Sequence, residues 1–416
     1  MLDRATGHAM DARAARVVWL VLFTSFLDLV GFGIIIPLLP LYVKSMGGTA
    51  ETVGILLSCF SFTQLVATPL LGRLSDSAGR RRVILVSLAG NAASMVLFSA
   101  ASFWHALPLL FVSRTLAGAT AGNLAACQAA VADVTRGEAR AQGMGRIGAG
   151  IGLGLVLGPA IGGWASALGP AAPPLFAAGL ACLDWLASFL WMPETLHPGT
   201  SEKRAARVGG WRGLRNLLAD PRILAVLALS FFTFLYMTNM QVALPLLASS
   251  RWKWGSEDIG HVFALYGLVG LITQGFLIGR LTRKYGAKGL VTGGALASCA
   301  GLLIVAFART TPIAVFGIFL IAIGVGLTHP VLSTLASEYA GPSRQGTVLG
   351  VTQSAGGLAR TVGPMASGAL YARVAPAASF VGGAIAAIAA FVVALGLRRT
   401  AEDDGEGGPP RLGSKS

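Results

Sequence analysis

The sequence predicts an all-α membrane protein in which twelve transmembrane helices fold as two pseudo-symmetric six-helix bundles. Three observations carry this reading. The chain is 54% hydrophobic and 12% charged, about half the charge of an ordinary soluble domain, with a mean hydropathy of +0.69. Its apolar residues gather into twelve runs, each close to the ~20 residues that a helix needs to cross ~30 Å of hydrocarbon. Landmarks of the first half also return in the second: Pro37 and Pro245, Gly54 and Gly260, Gly72 and Gly279, and Gly158-Pro159 and Gly363-Pro364 lie 208, 206, 207 and 205 positions apart. Near-constant spacing over four landmarks is the trace of a duplicated six-helix unit.

A short basic lead, 1–15, precedes the first bundle, 16–192, whose apolar runs fall at 17–42, 52–71, 83–102, 107–132, 147–168 and 174–192. The first run is about twice a signal-peptide core and lacks a small-residue cleavage site, so it reads as a retained anchor. A polar, basic linker, 193–221, leads to the second bundle, 222–397, with runs at 223–248, 259–279, 289–308, 312–337, 346–371 and 376–397. The tail, 398–416, is acidic and rich in Gly and Pro, the composition of a disordered segment.

An even number of spans places both termini on one side. With that side inside, 25 Lys and Arg residues are cytoplasmic and 5 external, Arg114 and Arg360 in the spans completing the 32; such asymmetry is what orients membrane proteins. The net charge of +14 therefore reflects topology, and no nucleic-acid partner is expected. Cys59, Cys127, Cys182 and Cys299 each sit within an apolar run without paired spacing and read as small buried hydrophobes. Compact loops and heavy Ala, Gly and Arg usage point to a bacterial cytoplasmic (inner) membrane.

The stretch Gly72 to Arg82 packs four arginines and Asp76 between two apolar runs, which predicts a tight loop at the cytoplasmic surface, with Gly72 and Gly79 allowing the turn. A carboxylate is stabilised beside a helix N-terminus, so Asp76 is a candidate latch against the start of the eleventh helix near Gly346, and Arg80 and Arg81 are candidates for its support or for anionic lipid head groups. Positive-inside topology alone also accounts for the loop. The fifth helix carries Gly150, Gly154, Gly158 and Gly162 at four-residue spacing with Pro159 among them, a nearly bare, bendable face suited to a domain interface that rocks; close helix packing is the plainer reading.

Asp28, Arg114, Asp184 and Arg360 are ionisable residues inside spans, where charge is expensive and function is the default. At ~1.5 Å per residue, Asp28 and Arg114 come to similar depths and are expected to pair. A carboxyl alone in apolar surroundings can carry a proton, whereas one held by a guanidinium is a poor carrier; switching between the two would couple protons to transport, and a static ion pair is the alternative. Arg360 is a natural counter-charge for an anionic substrate. Asp28, Asn123, Gln128, Asp184, Asn239, Gln241, Gln353 and Arg360 are candidate substrate contacts, each of the amides equally serviceable as helix-to-helix glue and Asp184 alternatively a neutral, hydrogen-bonded acid. His329 and the Phe231–Phe234 cluster read as packing and lipid-facing bulk. No phosphate-binding loop, catalytic triad or metal-ligand cluster occurs in the sequence, so no cofactor and no enzymatic chemistry are expected, and energy must come from an ion or substrate gradient.

Gly72-x-Leu74-x-Asp76-x-x-Gly79-Arg80-Arg81 resembles the loop between helices two and three of the major facilitator superfamily, with Ser77 where a basic residue is usual. Arg114 with Gly118 resembles that superfamily's fourth-helix motif, associated with proton transfer. Gly154-x-x-x-Gly158-Pro159-x-x-Gly162-Gly163 resembles its fifth-helix antiporter motif, and Asp28-x-x-Gly31-x-Gly33-x-x-x-Pro37-x-x-Pro40 is similar to the first helix of tetracycline/proton antiporters. The resemblance spans residues 15–397. It implies a monomeric drug:proton antiporter working by alternating access, with a small-molecule substrate, protons and membrane lipids as partners. Ser94 and Ser298 stand where tetracycline pumps carry acids in the third and ninth helices, which argues against tetracycline itself. An uptake symporter or uniporter for a sugar or organic acid is the alternative within the same fold, and a non-transporting receptor or scaffold the alternative outside it.

Overall fold

The computed structural model describes residues 12–196, 215, 217–340 and 344–397. The expected lead before residue 12, linker positions 197–214 and 216, and the tail from 398 lie outside the described residues. Within them the chain is helical. The first bundle comprises α1 (Ala12–Ile35, resumed as Leu39–Ser45), α2 (Ala50–Ala78), α3 (Arg80–Trp104), α4 (Leu107–Ala119, resumed as Asn123–Val134), α5 (Gly137–Ser166) and α6 (Ala172–Trp191). The second comprises α7 (Pro221–Gln241, continued to Trp252), α8 (Ser256–Ile272, continued to 285), α9 (287–307), α10 (Thr311–Ala340), α11 (Gln345–Arg373) and α12 (Pro376–Leu395).

Nine stretches among the described residues meet span length and hydropathy by composition alone. One of them, Ser256–Phe307, is two passes divided at Gly286, whose φ of 67° and ψ of 169° are outside the helical region. The remaining two are α4, interrupted at 120–122, and α11, which is rich in Gly, Ser and Thr. Pro37 and Pro40 account for the interruption of α1, since neither has an N–H for the ladder.

The expected loop over 72–82 is not a loop. α2 runs on through Gly72, Asp76 and Ser77 to Ala78, and Gly79 alone turns the chain before α3 begins at Arg80. Helix outlasts the apolar run because its backbone bonds are internal and survive at the membrane surface, and Leu and Arg favour helix. Gly79 has φ 106°, which disfavours any side chain, whereas a Cβ at Gly72 would meet nothing within 4 Å. Only Gly79 makes the turn.

The two halves repeat one packing pattern. In the first, α1 lies on α5 and α6, and α3 lies on α4 and α6; in the second, α7 lies on α11 and α12, and α9 on α10 and α12. The contacts between halves obey the same two-fold rule: α2 crosses α11, and α8 crosses α5. A Cβ at Gly54 would strike the backbone carbonyl of Pro364, and one at Gly260 the backbone carbonyl of Pro159, so two pairs of repeat landmarks meet across the pseudo-axis.

These crossings lie toward one end of the molecule. Gly368 sits on Ala50, Gly163 on Glu257 and Gly260, and Arg373 donates to Glu51 across the halves. Toward the other end, Gly72, Gly145, Gly148, Gly279, Gly346 and Gly350 have no neighbour among the described residues within 4 Å of an added Cβ. The halves are thus joined at the end bearing the α1–α2 loop and splayed at the end bearing Gly79.

The glycine stripe of α5 faces a different partner from the expected one. Gly150, Gly154, Gly158 and Gly162 pack on the α1 backbone at Leu22, Phe26, Val30 and Ile34, within the first half. The interface with α8 is built by the opposite face, through Gly152, Leu155, Pro159 and Gly163. Small residues every four positions give a single stripe, and close approach to α1 uses it fully. α5 stays continuous through Pro159.

Candidate functional site

Between the halves lies a cavity of about 350 Å³, walled by α1 to α4 with Gln241 of α7 and Arg360 of α11, a size suited to a small molecule. Leu29, Phe32, Leu57, Phe60 and Met95 make most of it apolar, and its ionisable lining residues are Asp28, Arg114 and Arg360.

Asp28 is held by two carboxamides. Asn91 Nδ2 of α3 donates to its Oδ1 at 2.9 Å, and Asn123 Nδ2 of α4 to its Oδ2 at 3.0 Å. The interruption of α4 places Asn123: the helix restarts there, and Asn123 Oδ1 accepts from the Leu124 N–H at 2.8 Å, which orients the amide. In the sequence the one signal for Asn91 is an amide inside an apolar run, which carries no charge to mark it as costly.

The expected Asp28–Arg114 pair does not form among the described residues. Arg114 is 2% exposed and lies over the Phe98 ring, 5.0 Å from its centroid, with Nη2 3.7 Å from Met95 Sδ and 3.5 Å from Ser113 Oγ. Among the described residues its Nε has no hydrogen-bond partner. The reason is axial: Arg114 stands nine residues before Asn123 on α4, roughly 13 Å at 1.5 Å per residue, and Asn123 is what reaches Asp28. Arg360 lies over Phe234 at 4.5 Å, and the same ring meets His329 edge-on at 5.3 Å. Phe234 is therefore a cation platform rather than lipid-facing bulk.

Asp28, Arg114, Asn123, Gln241 and Arg360 thus share the cavity. The other expected contacts lie off its wall. Gln128 and Gln353 are exposed elsewhere. Asn239 is structural: its Oδ1 accepts from Ser367 and Ser379, tying α7 to α11 and α12. Asp184 is buried in α6 inside the first bundle.

The charged turn after α2 is a separate cluster. Arg80, 2% exposed, bridges Asp76 at 2.6 Å and Asp133 of α4 at 3.0 Å, and donates to Ser75 Oγ at 3.0 Å. Asp76 therefore meets Arg80, one turn along, rather than α11, whose Gly346 stands in the open. The carboxylate at a helix N-terminus is Glu194, just after α6. Its Oε1 accepts from the Arg80 N–H at 2.9 Å and its Oε2 from the Arg81 N–H at 3.3 Å. Arg81 donates to the Phe189 carbonyl at 2.6 Å. Neither Asp133 nor Glu194 was legible beforehand, because both partners are distant in sequence and Glu194 reads as linker.

Comparison with known proteins agrees with this architecture. The chain is 32% identical over 363 residues to the class E tetracycline resistance protein of Escherichia coli, covering 86% of this chain and 88% of that protein. It is 30% identical over 407 residues to major facilitator superfamily domain-containing protein 10 of Homo sapiens, covering 86% and 87%. The crystal structure of the human organic anion transporter MFSD10 superposes with a TM-score of 0.68 at 29% identity, over 92% of this chain and 99% of that one. The nucleoside transporter NupG, at 14% identity, shares the fold with a TM-score of 0.70 over 91% and 98%. The family model of the Major Facilitator Superfamily matches residues 21–360 and 226–413, and the chain belongs to that superfamily.

Proposed function

We propose that this transporter exports a small amphipathic compound from a bacterial cytoplasm in exchange for protons, as a monomer with both termini inside. The observation that carries the reading is Asp28, set in the wall of a cavity between two halves and held by Asn91 and Asn123. Each carboxamide offers a donor and an acceptor, so the pair can hold the acid with or without its proton. Without an arginine partner, Asp28 is not locked as a charge.

The splayed end carries the basic turn at Arg80–Arg82, which positive-inside topology makes cytoplasmic; the conformation is then inward-facing. Substrate enters there, its apolar body against Phe32, Phe60 and Met95 and an acidic group toward Arg114 or Arg360. Rocking of the halves parts the two glycine crossings, which gate the joined end, and exposes the cavity to the other side, where a proton reaching Asp28 accompanies release. The named activities of the tetracycline resistance relatives support export, and that of the human structure supports an acidic substrate.

Everted vesicles with an acidic interior test this with a panel of small amphipathic compounds, acidic and neutral. At least one should accumulate and draw protons out. Asp28→Asn should abolish gradient-driven accumulation while substrate-for-substrate exchange persists. Full gradient-driven transport by Asp28→Asn removes the proton assignment.

A further inference from the structure

Behind the cavity wall, four polar side chains form a patch between α1 and α6. Thr24 and Asp28 are one turn apart on α1, and Asp184 and Ser188 are one turn apart on α6, so each pair shares a helix face. Thr24 Oγ1 lies 3.3 Å from Ser188 Oγ. Asp184 is 1% exposed, among the described residues neither of its carboxyl oxygens has a well-formed hydrogen bond, and with Thr24 opposite Ser188 on packed helices of opposite direction, Asp28 comes level with Asp184. Nothing in the transport reading uses it.

An acid in this setting needs a cation, a metal or a proton. The titratable groups that interact across this patch are Asp28 of α1 and Cys127 of α4. Of the cations on the helices against α6, Arg80 of α3 holds Asp76 and Asp133, Arg81 the Phe189 carbonyl and ring, and Arg140 of α5 the Ala132 carbonyl; Arg82 of α3 is exposed, Arg146 of α5 lies over Trp19, and Arg16 of α1 stands eight residues before Thr24, roughly 12 Å along the helix. Asp184 has no ion pair among the described residues, and no group of three or more metal-binding side chains occurs there. That leaves the proton, and a second acid nearby to exchange it with.

We propose that Asp28 and Asp184 form one proton-sharing pair across the α1–α6 packing, with Asp184 a positioning residue that sets when Asp28 takes up and gives up its proton. Transfer balances within the pair: one carboxyl gives up its proton as the other carboxylate takes one up. Charge is conserved, and no further reactant is needed. The role rests on Asp28 being the coupling carboxyl, yet the paired titration itself is independent of any substrate.

Infrared titration of the protonated-carboxyl band, with the full chain in liposomes and protons as the only ligand, tests this. The wild type should lose the band in two interacting steps. Asp28→Asn and Asp184→Asn should each leave one step, to the acid side of the second wild-type step by about one pH unit, a tenfold change in proton activity. Asp184→Glu should restore two steps, which guards against a folding defect in Asp184→Asn. A wild-type titration in Asp184→Asn, or no carboxyl titration in Asp28→Asn, overturns the pair. If the pair titrates as stated while Asp28→Asn still exports at full gradient-driven rate, this inference stands and the export reading falls.

Discussion

Gly54→Ala should push the protein out of its observed conformation. The added Cβ would lie against the Pro364 carbonyl oxygen and within 3.2 Å of the Met365 Cα, both backbone atoms of the other half, so no side-chain rotation relieves the clash. Overpacking of this kind costs about 1–3 kcal/mol. Alanine also raises helix propensity over glycine, but that gain is common to both conformations and cancels from their equilibrium. The clash belongs only to the state in which α2 crosses α11. At about 1.4 kcal/mol per factor of ten, the equilibrium should move roughly 5- to 150-fold toward separation of the joined end. A Glu51→Cys/Arg373→Cys pair, replacing residues in contact across that crossing, reports the change as disulfide cross-linking yield. Gly148→Ala, at a site with nothing within 4 Å, is the control. Cross-linking unchanged by Gly54→Ala, or lowered equally by Gly148→Ala, would refute the assignment of this crossing as a gate.

Two further predictions concern the charged turn. Arg80→Met removes the residue that bridges Asp76 and Asp133; thermal unfolding in detergent should show a loss below the ~3–5 kcal/mol of a fully buried pair, because Asp76 is 40% exposed. Arg80→Lys should recover only part of it, since an ammonium lacks the planar fork that spans both carboxylates. Glu194→Ala removes the acceptor of the first N–H groups of α3 and should cost about 0.5–2 kcal/mol, toward the lower figure because the residue is exposed; Glu194→Gln should cost less, and equal melting temperatures for all three proteins would discount the cap.

The sequence reading and the structure part company at identifiable places. Asp28, Arg114 and Arg360 were legible as cavity residues because an ionisable group within an apolar run is costly enough to announce itself. Their partners were not. Estimating depth by counting residues from the surface put Asp28 level with Arg114, but an interrupted α4 set Asn123 at Asp28 and Arg114 about two and a half turns away. Asp76 likewise meets a cation at the start of the next helix, Arg80, rather than a helix end in the other half.

What the sequence determined by itself was the set of passes and their two-fold repetition, since these follow from run length and spacing, which are properties of the chain read linearly. Tertiary structure alone decided which face of α5 meets which neighbour, which end of the molecule is joined, and what holds Asp28. Those are choices among side chains at similar depth, made by helix rotation and crossing, and a one-dimensional pattern of apolar residues does not encode either.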